Sequence, residues 1–161
     1  MANYCFNKLT IRGDTKQLIE FKDKVRGQDE EVLEFKNTIP TPPELDQTES
    51  PSNLPKTKQL DMILKYGHPD WYSWQIANWG CKWGPYTDSS SLDTNMYKNG
   101  KGKLVYSYDT PWSPPTQWII NTSKLFPTLK FENWCHEPGE GFKGTQIIMN
   151  GFIIKDNIMD T

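Results

Sequence analysis

Hydrophobic and polar residues alternate from Tyr4 to Arg12, with Leu9 and Ile11 on one face and Tyr4, Phe6 and Lys8 on the other. That period of two predicts a strand, ended by Gly13. Asp14 and Gln17 have capping-box spacing. Leu18, Phe21 and Val25 then recur at helical spacing, and Gly27 is expected as the C-terminal cap. Positions 32–39 predict a second strand carrying Leu33, Phe35 and Ile39 on one face. Five prolines (40, 42, 43, 51 and 55) break 40–57 into a polar loop. A short helix is predicted over 57–66, where Leu60, Ile63 and Leu64 share a side.

A Trp-rich segment follows at 70–86, read as a helix and a turn at Gly80. After a Gly- and Lys-rich turn at 98–103, a strand is predicted over 103–109 and a rigid Pro-rich connection over 110–115. The helix at 116–126 is expected to bury Trp118, Ile119, Thr122 and Leu125. A strand at 129–136 and a turn at 137–141 lead to a hairpin, 145–149 and 152–155, joined by Asn150-Gly151. Asn-Gly between alternating apolar residues favours a two-residue turn at positive φ. Residues 156–161 are expected to form a frayed tail.

This order gives an α+β class: a ferredoxin-like βαββαβ plait with a Trp-rich insertion before the third core strand and a C-terminal β-hairpin. Length fits one domain over 1–161. Apolar residues make up 35%, but seven Trp, seven Tyr and seven Phe offset the low aliphatic content. No segment approaches the roughly 20 apolar residues of a membrane span, and positions 1–9 do not read as a signal peptide. Cys5, Cys81 and Cys135 are scattered, as expected of reduced thiols in a cytosolic protein.

Four segments carry a family resemblance: Asn3-Tyr4-Cys5-Phe6-Asn7-Lys8-Leu9-Thr10-Ile11-Arg12-Gly13, Asn78-Trp79-Gly80-Cys81-Lys82-Trp83, Thr110-Pro111-Trp112-Ser113-Pro114-Pro115 and Glu137-Pro138-Gly139-Glu140-Gly141-Phe142. In this order they resemble the YubB-type ferredoxin-like domain family of phage, prophage and plasmid genomes. The chain departs from the family at Cys81, where Thr is common, and at Gly84, where an acidic residue is common. The resemblance implies the plait and a mobile-element origin. It implies no catalytic residues.

Candidate chemistry gathers at one end of the expected plait. The starts of the first and third strands are expected beside the finish of the fourth, which groups residues 3–5, 78–83 and 135–140 and leaves Trp112 at the opposite end. Trp79 and Trp83 with Lys82, Asn78, His136 and Glu137 would suit a planar anionic ligand such as a nucleotide. The competing reading is that these tryptophans anchor the insertion to the sheet. Cys5, Cys81 and Cys135 are weak metal candidates, because Cys135 and His136 point to opposite faces of a strand; no metal or other cofactor is expected. Tyr4, Phe6, Tyr106 and Tyr108 are candidates for stacking nucleic-acid bases, although Lys101–Tyr108 begins like an RNA-binding motif and then departs from it. The net charge of -2 counts against a coat for long nucleic acid.

The sequence lacks a Gly-rich phosphate loop, H-E-x-x-H and G-x-S-x-G. The expectation is a non-catalytic binding protein of a phage or other mobile element. It would act in the cytoplasm of a bacterial host on a host protein, in a defence system by analogy, offering that partner the exposed aromatics of the insertion and the Pro-rich loop at 40–57, with Trp112 a further ligand or partner candidate. The alternatives are sequestration of a small nucleotide and binding of RNA or DNA on the open sheet face.

Overall fold

The computed structural model describes residues 3–161; Met1 and Ala2, which open the segment read for a signal peptide, lie outside the described residues. The first strand, β1 (Tyr4–Asp14), leads into helix α1 (Thr15–Val25). Three helices follow: α2 (Pro43–Asp46), α3 (Lys56–Tyr66) and α4 (Trp71–Trp79). Next come β2 (Ser91–Met96), β3 (Lys101–Pro111), α5 (Thr116–Leu125) and β4 (Lys130–Glu137). The chain ends in β5 (Phe142–Met149), β6 (Phe152–Asp156) and β7 (Met159–Asp160).

The strands form one antiparallel sheet ordered β2-β3-β1-β4-β5-β6, with β7 also on β5. Its first four members have the ferredoxin-like arrangement, with β1 and β3 central and a helix after each. Cys5, Leu9 and Ile11 of β1 are buried on the helix side, with Leu104 and Tyr106 of β3 and Phe131 of β4. Leu18, Phe21 and Val25 of α1 and Trp118 and Ile119 of α5 close that core. The other sheet face is open, because β1 alternates buried and exposed positions as its sequence predicts.

Several expectations are corrected. Residues 32–39 are not a strand: Phe35–Asn37 form one 3-10 turn, and the second core strand is β2. The insertion, 26–90, therefore lies between α1 and the second strand, as well as before the third. Leu33 and Phe35 are buried by helices instead of by strand pairing. Asp14 does not cap α1; its carboxylate pairs with Lys101 at 2.6 Å. Gly27 does not cap it either, since the C-cap is Arg26 in extended geometry. Leu60, Ile63 and Leu64 of α3, and Leu125 of α5, are exposed. Residues 156–161 pair rather than fray, with Met159 and Asp160 opposite Lys143 and Phe142.

The hairpin forms as expected, with Asn150 at φ 48° and Gly151 at φ 82°. Gly80 ends α4 at φ 87°, and an added Cβ would meet the Pro114 carbonyl and the Thr116 and Gln117 amides at 3.2 Å. Only glycine allows both that conformation and that approach. The insertion thereby sits on α5, where the Asn121 amide donates to the Asn78 carbonyl and the Thr38 and Thr122 hydroxyls share a hydrogen bond.

Candidate functional site

The residues expected to cluster around Trp79 and Trp83 separate into different environments. Trp79 is 1% exposed, donates to the Ile39 carbonyl, and packs edge-on against Phe35 and Trp74. It is a core residue. The Asn78 side chain donates to the Trp74 carbonyl one helical turn back. Lys82 places its ammonium 4.9 Å from the Trp83 ring centre and 5.4 Å from that of Tyr72. Glu137 is buried and its carboxylate accepts the amides of Gly139 and Glu140, so it fixes the turn after β4. His136 points to the opposite sheet face from Glu137.

Trp112 corrects the sorting of strand ends. Because β1 and β3 are antiparallel, Tyr4 lies opposite Pro111 and the Trp112 amide donates to the Asn3 carbonyl at 2.9 Å. Trp112 thus belongs to the same end as Cys5 and His136. It holds φ 67°, in the left-handed region, and is partly exposed.

The three cysteines are free and buried. The neighbouring Cys135 thiol and burial push Cys5 well above the ordinary thiol range. Cys81 donates to the Trp83 carbonyl, and burial pushes its thiol up as well. Among the described residues, no three His, Cys, Asp or Glu side chains gather as metal ligands. Next to the thiols lies a buried polar network. Tyr108 donates to Asn133, Asn133 donates to Asn7, and Asn7 donates to Thr110 and to the Cys5 carbonyl. Tyr106 and Tyr108, expected on the open face, are instead buried on the helix side.

The open face holds a different set of rings. Tyr4 and Phe6 are there, as the alternation predicts, at 51% and 41% exposure. Trp134 joins them at 41% and lies 6.0 Å from the His136 ring. Sheet register sets their neighbours. Phe6 lies between Asp109 and His136, Lys8 between Ser107 and Trp134, and Arg12 between Lys103 and Lys130. Lys143 lies opposite His136. The row Lys103–Arg12–Lys130 sets three cations side by side on adjacent strands. Among the described residues, none of these three, nor Lys8 or Lys143, has a salt bridge. A shallow groove of about 490 Å³ runs over this face between Lys8, Arg12, Lys103 and Trp134.

A second concavity, about 420 Å³, is built by the insertion from Glu34, Lys36, Asp46, Trp71, Gln75 and Trp83. Trp79, Gly84 and Pro85 complete the lining, so two of the sequence candidates, Trp79 and Trp83, meet here.

Strand order and helix placement define the chain as ferredoxin-like. Residues 86–161, from just before β2 to the end, match the family model described as the ferredoxin-like domain in Api92-like protein. The chain is also similar in structure to a protein Api92 from Yersinia pseudotuberculosis, at TM-score 0.57 and 10% identity, covering 100% of this chain and 98% of that one. At that identity the likeness is one of fold. No curated protein matches the chain. Among the described residues, no helix is long and apolar enough to cross a membrane.

Proposed function

We propose that the protein binds single-stranded nucleic acid across the open face of its sheet. The observation that carries this reading is the unpaired row Lys103–Arg12–Lys130 beside the exposed rings of Phe6 and Trp134. Like charges directly opposite one another weaken a sheet. A polyanion lying across the row would relieve that repulsion, and exposed rings stack on bases of any sequence. The overall charge of -2 includes seven acids between positions 29 and 49, in the insertion, while the face itself carries Glu132 and Asp109 among its cations. The test is fluorescence anisotropy with labelled single-stranded RNA and DNA 12-mers. Binding should weaken with salt at a logarithmic slope of about -0.7 per phosphate neutralised, so near -2 for the three-cation row. No binding at 50 mM salt to either oligonucleotide would defeat the reading.

A second reading keeps a protein partner. Leu60, Ile63 and Leu64 of α3 lie exposed, as do Tyr72 and Ile76 of α4, and exposed apolar patches mark protein contacts. A mobile-element role against a host component belongs to this reading and rests on the sequence resemblance. It requires Leu64→Glu to abolish capture of a host protein while nucleic-acid binding is unchanged.

A further inference from the structure

The cleft of the insertion carries chemistry that the open face does not use. Its walls include two indoles, Trp71 and Trp83, each partly exposed, and its polar groups are Glu34, Lys36, Asp46 and Gln75. Most of those groups are already committed. Lys36 holds both carboxylate oxygens of Asp46, at 3.2 and 3.1 Å. Gln75 accepts from the Thr41 hydroxyl and donates to the Lys82 carbonyl. Glu34 receives only the backbone amide of Lys36, on Oε1, leaving Oε2 to a ligand. The charge left over in the cleft is therefore negative, and its one cation is neutralised by a neighbour.

An anionic nucleotide finds no unengaged cation among the lining residues. A positively charged organic group finds two indoles, whose faces attract cations more strongly than other aromatic side chains do, and a carboxylate beside them. The chain supplies its own precedent, since Lys82, which does not line the cleft, rests over the Trp83 ring. We infer that this cleft binds an alkylated ammonium or guanidinium group between Trp71 and Trp83, with Glu34 as its counter-charge. Such a group is carried by arginine and lysine side chains and by small free cations. Binding energy would come from the indole faces and from one incompletely paired carboxylate.

The experiment is two-dimensional nitrogen–proton NMR of the full chain, following the indole Nε1–H signals of Trp71 and Trp83, assigned with Trp71→Phe and Trp83→Phe. Probes are tetramethylammonium chloride, Nα-acetyl-arginine amide and AMP, all at constant ionic strength. Saturable movement of both signals with either cation, and none with AMP, is the expected result. Stronger binding of the arginine amide would assign the site to a partner's side chain, and stronger binding of tetramethylammonium to a small free cation; both uphold the inference. Glu34→Gln should weaken binding about five- to tenfold. Gly84→Leu, which places a side chain at a lining position with no close backbone clash for its Cβ, should abolish it while leaving the other indole signals in place. Movement with AMP and not with the cations would overturn the inference. So would cation-induced shifts that are unchanged in both Glu34→Gln and Gly84→Leu.

Discussion

Phe35 and Trp118 stack with ring centres 4.3 Å apart, and the Trp118 indole N–H donates to the Phe35 carbonyl at 3.1 Å. One residue of the insertion is therefore held to α5 by both its ring and its backbone. Phe35→Ala should cost about 3–5 kcal/mol, the usual range for deleting a buried ring. Trp118→Phe keeps much of the stack and removes one hydrogen bond to a buried carbonyl, for a smaller loss of about 1–3 kcal/mol. Urea denaturation of the two variants reads both values.

Lys130→Glu should separate stability from binding. The substitution puts a carboxylate opposite Arg12 where an ammonium now stands. Cross-strand pairs of opposite charge contribute roughly 0.2–1 kcal/mol, so the variant should be at least as stable as the parent. Its affinity for single-stranded nucleic acid should fall, and the salt slope should become shallower by about 0.7 or more. Urea midpoints and anisotropy titrations at two salt concentrations check both halves.

Trp134→Ala should leave stability within about 0.5 kcal/mol, because the side chain is largely on the solvent side of β4. Loss of one stacked base is worth about 1–3 kcal/mol, roughly a 5- to 150-fold drop in oligonucleotide affinity. Equal affinity of parent and variant would remove Trp134 from the binding surface.

Tyr106 carries a buried hydroxyl with no hydrogen-bond partner, alone in this among the described side chains. An unpaired buried polar atom costs about 1–3 kcal/mol of desolvation. Tyr106→Phe should therefore be neutral or stabilising by up to about that amount, whereas Tyr108→Phe, which deprives Asn133 of a donor, should destabilise. A thermal melt of the pair gives opposite signs.

Alkali should destabilise the fold before acid chemistry matters to the thiols. Burial holds the proton on Cys81 in the folded state. In the unfolded chain a thiol releases it near pH 8.5. Below that pH both states keep the proton and the site contributes no slope. Above it, unfolding releases a proton, so stability falls as pH rises. Cys81→Ala should flatten the urea-midpoint profile between about pH 8.5 and 10 relative to the parent. Beyond pH 10 the buried tyrosines act in the same direction, since burial raises Tyr106 and Tyr108 too.

Much of the plait was legible because its elements bury one face. The alternation of β1, the spacing of Leu18, Phe21 and Val25, and the Asn150-Gly151 turn all appear where local pattern places them. The second strand was not. Residues 91–96, Ser-Leu-Asp-Thr-Asn-Met, form an edge strand with only Leu92 partly buried, so they carry almost no apolar period. Leu33 and Phe35 carry a strand-like spacing that is produced by helices closing over a 3-10 turn. Trp134 could have been found by following the alternation of β4, where Phe131, Asn133 and Cys135 take the buried side. Glu34, Asp46 and Trp71 could not, since the cleft depends on how the insertion folds back on itself.

The position of β1 at the centre of the sheet sets the timetable of synthesis. Tyr4 pairs with Pro111 and Phe6 with His136, so β1 leaves the ribosome well ahead of the strands that flank it and waits for them. During that interval only local structure is open to it, and the helices of the insertion are local. Pairing of β1 then closes sequence separations from 87 residues (Asp14 to Lys101) to 130 (Phe6 to His136) at a late stage, with β1 unpaired until that moment. Moving β1 to follow β4 by circular permutation would place its partners upstream, and the permuted chain should assemble its sheet in the order in which the strands emerge.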